Sequence, residues 1–253
     1  DILGHAYGPD SPQMREQLLA LDKSLGAFFD GLDRRFGRDG YALALSADHG
    51  VTPLPEMSAA PGALRLISKG LERDLETALR AKLGAPPKAG ASWVLDVHSP
   101  YVYLDLEAAD AANVGSSRLV EAASDWLLRQ PSVAHVYSAA DLAGDAGGPY
   151  VEEFRRSYRP GRSGDLMVLF KRGVILADGP MGTVHGLPYD DDARIPLIFM
   201  GAGIKPGLRD EGVLATDLAP TLARLLGVGL APRAPSRVLV EALSDREGKR
   251  EVE

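Results

Sequence analysis

Gly182-Thr183-Val184-His185-Gly186-Leu187-Pro188-Tyr189 sits between apolar runs. Leu166-Met167-Val168-Leu169-Phe170 and Gly173-Val174-Ile175-Leu176 precede it, and Ile195-Pro196-Leu197-Ile198-Phe199-Met200 follows. Short, nearly continuous apolar runs of this kind read as buried strands. A histidine in a glycine-punctuated loop between strands is held by backbone geometry rather than by side-chain packing. Two more of the five histidines have similar settings: His5 in Asp1-Ile2-Leu3-Gly4-His5-Ala6-Tyr7-Gly8-Pro9, and His49 in Asp48-His49-Gly50. Both have an aspartate at close spacing, which is the composition of a metal site.

Upstream of the anchor, Ser11 is placed to cap a helix that starts at Pro12. Met14, Leu18, Leu21, Leu25, Phe28 and Leu32 recur along it at helical spacing, and Gly37 and Gly40 stop it. Tyr41 to Ser46 reads as a buried strand of the parallel type, which delivers Asp48 and His49 at its C-terminal end. Ligands bind at that end of strands in open α/β sheets. Prolines 53, 55 and 61 then break the pattern. A helix through Leu71, Leu75, Leu79 and Leu83 follows, then strands at 93–97 and 101–104, a helix around 119–127 and a strand at 133–137. This predicts an α+β insertion over 60–140 within a catalytic α/β domain made of 1–59 and 141–253, whose central sheet is mostly parallel and flanked by helices. A last helix spans Leu218 to Leu226, capped by Thr216 or Asp217, and the charged tail from Ser244 is expected to fray.

At 253 residues the chain is long enough for such a domain with an insertion. A net charge of −7 argues against a broad nucleic-acid-binding face. There is no cysteine, so disulfides and thiolate metal sites are excluded. No apolar run approaches the roughly 18 residues needed to cross a bilayer. The chain opens inside a motif, so an upstream segment is expected, carrying any targeting signal.

Carboxylate and neutral imidazole together suit zinc. Asp1 and His5 are close enough in sequence to bind one ion, and a turn can converge Asp48 and His49. The alternative is that Asp48-His49-Gly50 is a polar strand end and His185 a hydrogen-bonding loop residue. Asp190, Asp191 and Asp192 could support His185 from behind, though a solvated acidic loop is the simpler reading. His98 and His135 carry no neighbouring ligand pattern and are assigned packing or surface roles, with Trp93, Tyr101, Tyr103 and Trp126 as the insertion's own core.

Asp1-x-x-Gly-His5-x-x-Gly-Pro, Asp48-His49-Gly50 and Gly-Thr-x-His185-Gly resemble three ordered motifs of the alkaline phosphatase superfamily, in particular its single-chain bacterial alkaline phosphatases. Those are relatives of the nucleotide pyrophosphatase/phosphodiesterases. Arg162-Ser163-Gly164-Asp165, Arg194-Ile195-Pro196-Leu197 and Asp217-Leu218-Ala219-Pro220-Thr221-Leu222 add to the likeness. The resemblance implies an alkaline phosphatase-like fold, of which this chain is the C-terminal part. It implies that Asp1, His5 and His185 hold one Zn²⁺, and Asp48 and His49 a second. The family's Ser or Thr nucleophile and its remaining aspartate ligand lie upstream of the first motif, so no catalytic nucleophile is expected in this chain. Ser46, Ser163 and Thr183 are assigned structural roles. The implied activity is hydrolysis of small phosphate monoesters through a phospho-enzyme, in the periplasm or outside the cell. The alternatives are a phosphodiesterase or nucleotide pyrophosphatase, and a catalytically inactive metal-binding fragment. A separate N-terminal fragment would be the partner that completes it. The manganese-using phosphoglycerate mutases rank below these, because the surroundings of His185 are phosphatase-like.

Overall fold

The computed structural model describes residues 1–230 and 235–244; beyond Ser244, the charged tail expected to fray lies outside the described residues. In chain order the elements are α1 (Ile2–Tyr7), α2 (Pro12–Phe36), β1 (Ala42–Ser46), β2 (Leu64–Ile67), α3 (Ser68–Leu83), β3 (Val94–His98), β4 (Tyr101–Leu104), α4 (Leu106–Ala111), α5 (Ser116–Leu128), β5 (Val133–Ser138), α6 (Ala139–Ala143), α7 (Val151–Ser157), β6 (Leu166–Phe170), β7 (Val174–Ala177), α8 (Asp190–Ala193), β8 (Leu197–Gly201) and α9 (Leu218–Leu226). Two compact units result: residues 1–14 with 51–193, and residues 15–50 with 194–253.

The first unit holds the main core. Its four-stranded sheet has the order β3-β4-β6-β5, and every described pairing in it is antiparallel. β6 is Leu-Met-Val-Leu-Phe with all five side chains buried, so it requires cover on both faces and a partner on each edge. β4 and β5 supply the edges, and α3 and α5 pack among the same apolar side chains, with Leu75, Leu79, Leu119 and Leu127 almost wholly buried. The strand expected to return to the main sheet after residue 140 therefore completes the sheet of the α+β module instead. The Arg162–Asp165 stretch makes that entry. Asp165 accepts the Leu104 amide at 2.7 Å, and a Cβ on Gly164 would lie 2.7 Å from the Val102 carbonyl oxygen. β2 and β7 form a parallel pair beside it.

The second unit pairs β1 with β8, antiparallel, from Ala42↔Gly201 to Ser46↔Leu197. The α/β class holds; β2–β7 is a parallel pair, while the other described ladders run antiparallel. β1, which its apolar run marks as a buried strand of the parallel type, is half-buried and antiparallel, so the run fixed neither its burial nor its direction. Behind the pair, Asp217 is buried and its carboxylate takes the Leu214 and Arg237 amides at 2.9 and 2.7 Å. Thr221 Oγ1 donates to the Asp217 carbonyl and accepts the Leu239 amide, so the Asp217–Leu222 motif ties Leu239 to α9.

Ser11 caps α2 as expected: its Oγ accepts the Met14 amide at 3.2 Å and donates to the Gly8 carbonyl. The apolar stripe of α2 is not buried, however, and Leu18, Leu21 and Phe28 are each about half exposed. Among the described residues no helix is long and apolar enough to cross a membrane.

Candidate metal centre

The Asp1–Pro9 stretch, read from its glycines as a loop, is a short helix. The His5 amide donates to the Asp1 carbonyl at 3.0 Å, closing the turn, and Gly8 ends it at φ 79°. Residues four apart on a helix share one face. His5 Nε2 accordingly lies 3.3 Å from Asp1 Oδ1.

The anchor loop is laced to that helix through Thr183. The Thr183 amide donates to the His5 carbonyl, and the Thr183 carbonyl receives His5 Nδ1, both at 2.7 Å. A carbonyl oxygen can only accept, so Nδ1 carries a proton, and in the neutral ring Nε2 then offers the lone pair. Holding one ring nitrogen by a backbone carbonyl and offering the other is the usual arrangement of a metal-binding histidine. Thr183 is itself buried, and its hydroxyl donates to the Thr52 carbonyl at 2.6 Å. The Thr52 amide in turn donates to the Val184 carbonyl at 3.2 Å.

This lacing brings His185 to His5, with ring centroids 5.1 Å apart and planes at 46°. One ligand-type atom each from Asp1, His5 and His185 lies within 4.8 Å of the others. The ligand atoms of tetrahedral zinc, at 2.0–2.1 Å from the metal, sit about 3.4 Å from one another. The Asp1–His5 separation already has that value, and the donor set of one carboxylate and two imidazoles is a zinc set. These three residues fit one ion.

Gly182 is the tightest point of the lacing. Its φ is +79°, and a Cβ there would stand 2.8 Å from the His5 carbonyl oxygen, the acceptor of the Thr183 amide. Gly182→Ala is expected to cost about 1–3 kcal/mol from left-handed strain and displaced backbone. For a protein of this size that lowers Tm by about 2–12 °C. Thermal denaturation with and without zinc checks it, and equal Tm values for variant and parent would refute the close approach.

Beyond His185 the loop is anchored by Tyr189, which is buried, donates to the Phe170 carbonyl at 2.6 Å and lies under the Arg172 guanidinium at 5.1 Å. Burial raises its phenol pKa above the ordinary value. The three aspartates that follow differ from the solvated loop expected of them. Asp190 is exposed and Asp191 pairs with Arg172 at 3.1 Å, but Asp192 is only 2 % exposed and its carboxylate turns back onto the loop. Spacing gave no sign of this. An aspartate six residues after a glycine, reaching back to its amide, is a side-chain-to-backbone hook that any of the three could have made.

Asp48 and His49 belong to the second unit, just past the end of β1. His49 Nδ1 donates to the Gly50 carbonyl at 2.6 Å by the same argument as for His5, and Nε2 lies 3.7 Å from Asp48 Oδ2. Ser46, Ser163 and Thr183 all have backbone partners: Ser46 donates to the Pro196 carbonyl, and Ser163 accepts the Arg159 amide. His98 pairs with Asp96 at 3.0 Å and stacks on Tyr103, while the His135 ring rests on Tyr137.

Residues 1–191 match the family described as type I phosphodiesterase / nucleotide pyrophosphatase. The chain belongs to that family. Among its curated relatives, alkaline phosphatase PhoK of a Sphingomonas species is 36% identical over 242 residues, covering 89% of this chain and 42% of PhoK. Alkaline phosphatase PafA of Elizabethkingia meningoseptica is 29% identical over 245 residues, covering 96% of this chain and 44% of PafA. The crystal structure of wild-type PafA superposes with a TM-score of 0.84 at 28% identity, over 96% of this chain and 46% of that one. Human ectonucleotide pyrophosphatase/phosphodiesterase 5 superposes at 0.62 with 20% identity, over 96% of this chain and 55% of that one, a likeness of fold alone. The fold is thus alkaline phosphatase-like, and the chain spans less than half the length of the curated relatives named.

Proposed function

We propose that the protein is a two-zinc alkaline phosphatase that hydrolyses small phosphate monoesters outside the cytoplasm. The observation that carries this reading is the convergence of Asp1, His5 and His185 on one point, in a chain similar along most of its length to bacterial alkaline phosphatases. Asp1, His5 and His185 hold the first ion, and we assign Asp48 and His49 to the second by the resemblance of their motif. Bound divalent cations supply Lewis-acid charge against the phosphoryl oxygens. The chain's own part is to present neutral imidazole nitrogens in a set orientation, which the Thr183 and Gly50 carbonyls do for His5 and His49. No residue of this chain is assigned as the attacking group.

The family description favours a second reading, a phosphodiesterase. The two part company on the intact gene product. We expect kcat/KM for p-nitrophenyl phosphate to exceed that for bis-p-nitrophenyl phosphate, with activity lost on chelation and restored by zinc. A preference for the diester would move the protein to the phosphodiesterase reading. No zinc-restored activity on either ester would make it a metal-binding protein without this catalysis.

A further inference from the structure

Asp192 lies on α8, a helix of four residues, and is almost wholly buried. One oxygen, Oδ2, accepts two consecutive backbone amides, those of Gly186 at 2.5 Å and Leu187 at 2.7 Å. These are the two residues directly after His185. Gly186 has φ +106°, a conformation that glycine alone adopts without strain. The carboxylate thus holds the turn after His185 beside Leu187, which is packed in the core. The hook closes on itself, since the Asp192 amide donates to the Tyr189 carbonyl at 2.9 Å and Tyr189 is fixed on Phe170.

We propose that Asp192 is a positioning residue for the metal centre: by gathering the Gly186 and Leu187 amides it fixes the backbone turn that aims the His185 imidazole at Asp1 and His5. This rests on the metal-site reading above. On His5 a backbone carbonyl holds the ring; after His185 a buried carboxylate holds the main chain, and one of its oxygens also lies within 4.8 Å of a His185 ring nitrogen. Two amides converging on one oxygen also explain why the third aspartate of the run is buried while the first stays in solvent. Asp217, also buried, takes the Leu214 and Arg237 amides one on each oxygen, and among the described residues it belongs to no metal-ligand group.

The test is cobalt titration of the intact apo-protein, followed by visible absorption, for the parent, Asp192→Ala and Asp192→Asn. Alanine removes the acceptor. Asparagine keeps an oxygen of the same reach. We expect Asp192→Ala to weaken Co²⁺ binding about 10–100-fold, the range for loss of an outer-shell partner, and to change the d–d band of what still binds. Asp192→Asn should stay within about 3-fold with the parent's spectrum. The apo-protein Tm is read alongside, because a merely structural role would lower Tm and leave affinity and spectrum alone; that result would overturn the proposal. Asparagine as damaging as alanine would overturn it too, and this variant decides the matter if Asp192→Ala does not fold. No Co²⁺ binding by the parent would sink the metal-site reading itself, and this inference with it, whereas a parent that binds beside an unaffected Asp192→Ala sinks the inference alone.

Discussion

His185→Ala is expected to abolish tight zinc binding at the Asp1–His5 helix. The remaining pair, one carboxylate and one imidazole four residues apart, leaves two protein ligands where zinc sites use three or four. Loss of an outer-shell partner already costs about 10–100-fold in metal affinity, and removing a ligand should exceed that. Zinc retained after dialysis should fall by one ion per chain, measured by elemental mass spectrometry, and phosphatase activity should fall with it. The fold should survive, because His185 sits in a loop whose anchors, Tyr189 and Asp192, are untouched. His135→Ala makes the control: that ring rests on Tyr137 and its loss should leave zinc content unchanged. Unchanged zinc in His185→Ala would contradict the assignment.

The candidate donor residues could be picked out in the sequence, their scaffold only in part. Glycine punctuation and aspartate spacing singled out His5, His49 and His185, because donor types are written in the residues themselves. The reading of Asp1–Pro9 as a loop missed the helical turn that puts Asp1 and His5 on one side, since Gly4 and Gly8 are as compatible with a helix interior and its end as with a loop. Three successive aspartates are indistinguishable as letters, and only the return of α8 toward Gly186 buries the last. The period of α2 specified a helix and which face is apolar, but a period does not say what covers that face, and Leu18, Leu21 and Phe28 remain about half exposed. Strand identity was read well for β3 to β6. Their partners were not, because β6 is apolar at every position and its neighbours are chosen by three-dimensional packing.

Trp93→Ala is expected to produce the largest loss of stability. Trp93 has no exposed surface and lies in the core cluster with Leu75, Leu79, Val97 and Val102. Its indole N–H donates to the Gly84 carbonyl at 2.8 Å, where Gly84 ends α3 at φ 88°. Its own carbonyl receives the Asp105 amide at 2.9 Å. One side chain thus joins the end of α3 to the β3–β4 hairpin. Truncating a buried tryptophan costs about 3–5 kcal/mol through lost burial and the cavity left behind. At about 2–4 °C per kcal/mol for a protein of this size, Tm should drop by about 6–20 °C. Trp93→Phe separates the two contributions: it refills most of the cavity but leaves the Gly84 carbonyl without its donor, so it should cost about 1–3 kcal/mol. Zinc content per folded molecule should match the parent in both variants well below their Tm, since Trp93 touches none of Asp1, His5 or His185. A Trp93→Ala protein that melts within a degree of the parent would mean that this side chain does not hold the module together.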